Sequence, residues 1–445
     1  MTTAHTVAVD AAQWLPTGFE SVEVARRDLS DLARTLTASQ ILKISAQIRV
    51  LVAQGREVCN LTIGDFNPTQ FPVPSILRDA IVDAMGKNLT NYPPPDGVVA
   101  LREAVVRLYE RELGLRYPID SVLIASGGRP LIYCTYRTLV NPGDAVIYPV
   151  PSWNNDHYCN MLGAHKIELV TSREEDFLPS ADRIRPHLCD ARLLCMNSPL
   201  NPAGTMISAE ELTRICEMIV EENNHRAREG RPALYVLYDQ IYWMLQFGAC
   251  KHVTPVEVVP EMAAYTVFVD GISKGLAATG LRVGWAVAPP HVIQPMKDIM
   301  GHVGAWATHP VQAATAKVLD NVEGLSQYHA TMLQEVEERL QMLYQGFSAM
   351  AADGLPVEAV PPQGAIYLSV RFDLCGKTVG DRTFNCNEEI RSYLLEKAGC
   401  AVVPFQAFGL QEETGWMRLS VGAVSLAQIE AMLPRVRAAL EGSRE

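Results

Sequence analysis

The chain has 445 residues, 48% of them hydrophobic, and its 50 Asp and Glu outnumber its 38 Lys and Arg for a formal net charge of -12. That length suits two or three domains, or one large α/β unit with a smaller companion, and the composition excludes general disorder and fibrous architecture. No Lys- or Arg-rich run could neutralise a phosphate backbone, so nucleic acid is not an expected partner.

Apolar positions at helical spacing (Val24, Leu29, Leu32, Leu36, Ile41, Ile44, Ile48, Leu51) predict an N-terminal helical segment over 22–54, followed by the strand-like piece CNLTIGD. From about 97 to 325, β-rich runs alternate with helical patterns: SVLIAS, DAVIYPV, KIELV, RLLCMN, ALYVLYD, TVFVDG and LRVGWAVA. Seven such strands with helices between them predict an α/β fold with a mostly parallel sheet covered on both faces. Leu325, Met332, Leu333, Val336, Leu340 and Leu343 predict a long linking helix over 324–350. Strands AIYLSVRF, CAVVPF and WMRLSVG, with helices over 387–398 and 425–441, then predict a small α+β domain. The expected division is an N-terminal arm with part of the small domain (1–75), a large domain (76–325) and a C-terminal small domain (326–445).

The most apolar stretch, Tyr265 to Pro290, is interrupted by Asp270, Lys274 and Arg282, so no membrane-spanning segment is expected. The opening MTTAHTVAVD has no basic n-region, which makes the cytoplasm the expected location. Ten cysteines without a CxxC pair read as reduced thiols, and ten histidines show no ligand spacing, so no metal is expected.

Chemistry gathers at the expected strand ends. In GISKGLAATGLRVGW (271–285), Lys274 follows the strand TVFVD among small residues, where lost solvent could depress its pKa and make it nucleophilic. Arg282, eight positions on, could clamp an anion beside the same loop. Read alone, Lys274 is more often an ordinary exposed loop lysine. NSPLNPAG (197–204) forces a tight turn after RLLCM, with Asn201 in the crevice, or else simply leads into a helix capped by Ser208. Asp239 ends the strand ALYVLYD and needs a cation or a donor, with Tyr242 three residues later, unless it is a helix cap. SGGRPL (126–131) opens a helix with Gly127, Gly128 and Arg129 as an anion site. Trp153 sits at a strand end, where it could stack on a flat ligand or fill core.

Together these motifs resemble the class I and II aminotransferases, the aspartate aminotransferase-like, fold type I enzymes that use pyridoxal 5'-phosphate, along nearly the whole chain. The resemblance implies Lys274 as the Schiff-base lysine, Asp239 as partner of the ring nitrogen, Tyr242 and Asn201 as donors to the 3'-oxygen, and Trp153 as the stacking residue. It implies Arg282, with Gly127, the backbone of Gly128 and Arg129, and Ser273, as the phosphate site. Tyr92, in LTNYPPPDGVVALR, matches a tyrosine that reaches the neighbouring subunit's phosphate, which implies a homodimer with shared sites. Arg418, in GWMRLSVG, and Gly64, in LTIGD, match the pair at the substrate α-carboxylate. The activity so implied is transamination between an L-amino acid and a 2-oxo acid, with glutamate and 2-oxoglutarate as one pair. A lyase or decarboxylase on the same fold, or a non-catalytic amino-acid-binding regulatory module, are the alternatives.

Two positions depart from the family pattern. Gly271 stands where a phosphate-binding hydroxyl is usual, which leaves Ser273 or the region of Thr308 to compensate. Phe405 replaces a frequent glycine after Val403-Pro404 and is expected to reshape the substrate entrance. The stretch MGHVGAWATHP (300–310), where relatives selective for acidic substrates carry a second arginine, offers His302 and His309, with Arg129 as another cation in reach.

Overall fold

Six buried apolar runs, with the half-exposed HKIELV at one edge, settle into one sheet, because strands apolar on both faces need cover on both sides. The computed structural model describes residues 10, 28–36, 40–380, 382–441 and 443–444. Val24 of the expected N-terminal helix and the first nine residues lie outside them. By its contacts the chain separates into residues 1–38 and residues 39–445. In the first unit a short helix, Asp31–Thr35, is capped by Ser30, whose hydroxyl accepts from the Ala33 amide at 3.2 Å.

In the second unit, β1 (Val122–Ala125), β2 (Ala145–Val150), β3 (His165–Val170), β4 (Ala191–Asn197), β5 (Tyr235–Asp239), β6 (Thr266–Gly271) and β7 (Gly284–Val287) lie in the order β1-β7-β6-β5-β4-β2-β3. Only β7 runs antiparallel to its neighbours. All seven expected strands are present, the last shortened because Arg282 sits in the left-handed region (φ 56°) and delays the extended backbone until Gly284. Helices cover both faces, among them Ser75–Gly86, Val99–Leu113, Gly128–Leu139 and Ala209–Arg228. Ser208 does cap the last of these, accepting from Glu211 N at 3.1 Å.

A second sheet, order β10-β11-β9-β8, is formed by β8 (Val357–Ala359), β9 (Tyr367–Phe372), β10 (Val403–Pro404) and β11 (Trp416–Ser420), all antiparallel. The helix Val322–Ala352 runs from one core to the other: Leu325 packs in the first, while Met332, Val336, Leu340, Leu343, Phe347 and Met350 form a stripe in the second. No helix among the described residues is long and apolar enough to cross a membrane.

Two expectations change. CNLTIGD is a strand only over Cys59–Asn60, parallel to Cys400–Ala401; beyond it, the Asn60 and Asp65 side chains capture the Thr62 and Phe66 amides at 3.2 and 2.7 Å and turn the chain away. CAVVPF is correspondingly two short strands, Cys400–Ala401 and Val403–Pro404, each serving a different sheet. The three-residue β8 has no alternating pattern that sequence could reveal.

Where β1, β7 and β6 meet, backbones touch. A Cβ on Gly284 would fall 2.7 Å from Gly127 C and 2.8 Å from Gly128 N, and one on Gly271 would fall 2.6 Å from Val283 O. Gly284→Ala should therefore lower stability by about 1–3 kcal/mol in urea unfolding. Gly301→Ala, in the helix Pro290–Val303 with nothing within 4 Å of the added methyl, should be neutral or stabilising by up to about 1 kcal/mol.

Candidate active site

The carboxyl ends of β4, β5 and β6 stand side by side, with Asn197 in register with Asp239 and Asp239 with Val269. Ligands gather at this edge of an open α/β sheet. A cavity of about 520 Å³ opens there, and its wall includes Gly64, Gly128, Arg129, Trp153, Asn201, Asp239, Tyr242, Ser273, Lys274, Arg282 and Arg418. Of the residues that the resemblance implies for cofactor and substrate, all but Gly127 and Tyr92 thus line one space. Gly127 adjoins it: its φ of 94° suits the turn into the helix Gly128–Leu139, and a Cβ there would collide with the Arg282 guanidinium at 2.5 Å. Tyr92 stays apart, 82% exposed, its ring edge-on to Trp306 at 5.3 Å.

Lys274 leaves the short turn after β6, and its Nζ donates to Gly64 O at 2.5 Å. Burial lowers its pKa to about 8, Asp65 pulls it upward, and Arg418, Arg129 and Arg282 push it further down. A nucleophilic amine near neutral pH follows. Asp239 accepts from the Ile241 amide at 3.1 Å, and no helix begins at it, so it is not a cap. Burial raises its carboxyl to about 6, the Ile241 amide and Lys274 offset only part of that, and it has no ion-pair partner among the described residues.

The opposite wall comes from the second sheet. Arg418 on β11 is 1% exposed, donating from Nη2 to Thr62 O at 2.6 Å and from Nη1 to Asn201 Oδ1 at 3.1 Å. Its Nε, also buried, has no partner. Rings of Tyr367 and Phe408 flank the guanidinium at 4.7 and 4.8 Å. Asn201 is held from behind, its amide donating to Asn197 Oδ1 at 2.8 Å, while Asn197 Nδ2 donates to Asp239 O at 2.8 Å.

At the sheet's glycine corner, Arg282 donates to Thr279 O (2.7 Å) and Ser126 O (3.0 Å), beside the Gly128 helix N-terminus. Ser273 lines the cavity next to it, whereas Thr308 begins the helix His309–Asp320 outside the wall. Gly271 has no room for a side chain, so the usual hydroxyl could not fit there. Phe405 does not shape the entrance: it is fully buried against Phe177 and Trp416, and Phe408, three residues on, faces Arg418 instead. His302 and His309 also lie off the cavity, whereas the Arg129 guanidinium stands 5.3 Å over the Trp153 ring, with no ion-pair partner among the described residues. Sequence reading passed over Asn197, Asp65 and Tyr367, which lie in or near the motifs but carry no chemistry that the strand pattern alone discloses. No cluster of three or more His, Cys, Asp or Glu able to hold a metal occurs among the described residues.

The donor set fits pyridoxal 5'-phosphate: an amine of depressed pKa, a carboxylate lacking a cation, an anion site at a helix N-terminus and an aromatic face share one cavity.

The sequence profile described as aminotransferase class I and II matches residues 56–436. An aspartate aminotransferase of Bacillus sp. (strain YM-2) is 28% identical over 92% of this chain and 98% of its own length. The bifunctional aspartate aminotransferase and glutamate/aspartate-prephenate aminotransferase of Petunia hybrida is 30% identical over 93% of this chain and 82% of its own. Among solved structures, the aspartate aminotransferase from Rhizobium meliloti aligns with a TM-score of 0.83 at 25% identity, covering 94% of this chain and 99% of that one. The Thermus thermophilus aspartate aminotransferase with maleate aligns at 0.81 and 27% identity, covering 93% and 99%.

With Asp65 holding the proton on, acylation of Lys274 in the cofactor-free protein should reach half its limiting rate near pH 8, not 10.5, and Asp65→Asn should move that midpoint down. Mass-resolved labelling across pH measures both.

Proposed function

The chain belongs to the class I and II aminotransferases, enzymes that work with pyridoxal 5'-phosphate, and we propose that it moves an amino group between an acidic L-amino acid and a 2-oxo acid, with glutamate and 2-oxoglutarate as one pair. The observation that carries the reading is the convergence of Lys274, Asp239 and Arg418 on one cavity from three distant segments. Bound cofactor supplies an electron-withdrawing ring that acidifies the Cα–H of the amino acid joined to it. Lys274 Nζ would be the point of attachment, and the same amine is the base placed to take and return a Cα proton. Asp239 holds the proton of the ring nitrogen, which meets the cation that its carboxylate lacks.

Asn201 accepts from Arg418 through Oδ1, so its Nδ2 is left to donate to the 3'-oxygen, together with the Tyr242 hydroxyl. Trp153 would offer the ring an aromatic face, and Gly127, Gly128, the Arg129 backbone, Ser273 and Arg282 would hold the phosphate. Arg418, beside Gly64, would take the α-carboxylate in a bidentate pair and so fix where the Cα sits.

The acidic preference rests on the Arg129 guanidinium, which stands over Trp153 without a carboxylate partner among the described residues. Relatives named for aspartate, and one solved with maleate, agree with a dicarboxylate substrate. The exposed Tyr92 belongs in this reading to a neighbouring subunit's phosphate site, which makes the working unit a homodimer. In it, residues 76–325 form the large cofactor-binding domain, and 326–445 with part of 1–75 the small domain that carries Arg418.

Borohydride reduction of the loaded enzyme should fix the cofactor on Lys274, and Lys274→Ala should abolish the adduct by mass spectrometry; an adduct on another lysine overturns the assignment. Arg129→Gln should raise KM for aspartate and glutamate about tenfold or more, the worth of one charged hydrogen bond, while KM for an apolar amino acid stays within about twofold.

A further inference from the structure

Tyr367 lies outside every motif that marked the cavity, yet its hydroxyl is 2.6 Å from that of Tyr242 and both side chains are buried. We propose that Tyr367 is a positioning residue: its phenol donates to the Tyr242 oxygen, so that the Tyr242 O–H is aimed into the cavity at the cofactor's 3'-oxygen. This rests on the role given to Tyr242 above.

One hydrogen can lie between two phenol oxygens, so one hydroxyl must be the donor of the pair and the other remains free to donate elsewhere. The stronger acid makes the better donor. Arg418, always charged, lies over the Tyr367 ring at 4.7 Å and draws density from it. The cation facing the Tyr242 ring is Lys274 Nζ, 5.6 Å away, which gives up its charge much more readily. Burial raises both phenols and Arg418 draws both back, but at Tyr367 it is the first opposing influence, whereas at Tyr242 it comes behind the neighbouring Tyr367, which pushes Tyr242 further up. Donation from Tyr367 to Tyr242 follows, and the remaining hydrogen is that of Tyr242, a residue of the cavity wall.

Gly64 makes the approach possible. A Cβ at that position would fall 2.7 Å from the Tyr367 hydroxyl oxygen, so the loop is bare where the phenol passes. The charged groups around the pair are Arg418, Asp239, Asp65 and Lys274, and all remain when Tyr367 becomes Phe. The ring and its stack on Arg418 remain too.

The test is a pH titration of the visible absorbance of the lysine-bound cofactor in wild type, Tyr242→Phe, Tyr367→Phe and the double variant. A 3'-oxygen that loses a donor keeps more negative charge beside the lysine nitrogen, which then holds its proton more tightly, so the midpoint should rise in Tyr242→Phe. Tyr367→Phe should raise it in the same direction by about half to one pH unit, the effect of one neutral hydrogen bond, and should add nothing in the Tyr242→Phe background. An unmoved midpoint in Tyr367→Phe, or an equal rise in both backgrounds, overturns the inference while Tyr242 keeps its role. An unmoved midpoint in Tyr242→Phe overturns that role, and the inference with it.

Discussion

A guanidinium almost wholly removed from water organises this protein. Arg418 is surrounded by Thr62 O, the Asn201 side chain and the rings of Tyr367 and Phe408, with no carboxylate at ion-pair distance among the described residues. A buried cation without an anion is costly by several kcal/mol, and carbonyls and aromatic faces offset only part of that. The deficit is local and directional: Arg418 faces the cavity, so an anion entering there would meet a cation already stripped of water. Four segments converge to build it, from residues 59–65, 198–204, 403–408 and the β9–β11 pair. All but 403–408 also line one side of the cavity.

The other side depends on backbone rather than side chains. Gly284 is the register partner of both Ala125 and Gly271; the bare Gly284 lets the Gly127–Gly128 turn lie against it, and the bare Gly271 lets Val283 and Gly284 approach. Gly271 illustrates how a departure from a family pattern can be read in two ways. As a missing hydroxyl it looks like a loss, yet the close approach of Val283 and Gly284 leaves no volume for any side chain, so what stands at that corner is amides, Ser273 and Arg282.

The large sheet was legible because each strand is a short apolar run bounded by turn residues, and the residues at its carboxyl edge stood out through chemistry misplaced in such a run: Asp239 closing an apolar strand, Lys274 among glycines. The small sheet was less so. β8 has three residues, and CAVVPF divides between two sheets for reasons that lie in its partners, Cys59–Asn60 and Arg418. Tyr367 and Phe408 were invisible for a related reason, since aromatic residues in apolar runs read as core until the fold turns one face of them toward a cation. Phe405 shows the reverse error: a residue conspicuous in sequence is ordinary packing in space.

The pairing of Cys59–Asn60 with Cys400–Ala401 joins stretches nearly the length of the chain apart. Contacts this distant in sequence cannot form until the later partner has been synthesised, whereas all seven strands of the large sheet lie within residues 122–287. On the ribosome the edge bearing Asp239 and Lys274 is therefore complete while Arg418 is still untranslated. A chain interrupted anywhere in that interval carries one wall of the cavity without the other, so the order of synthesis itself decides which wall is built against which.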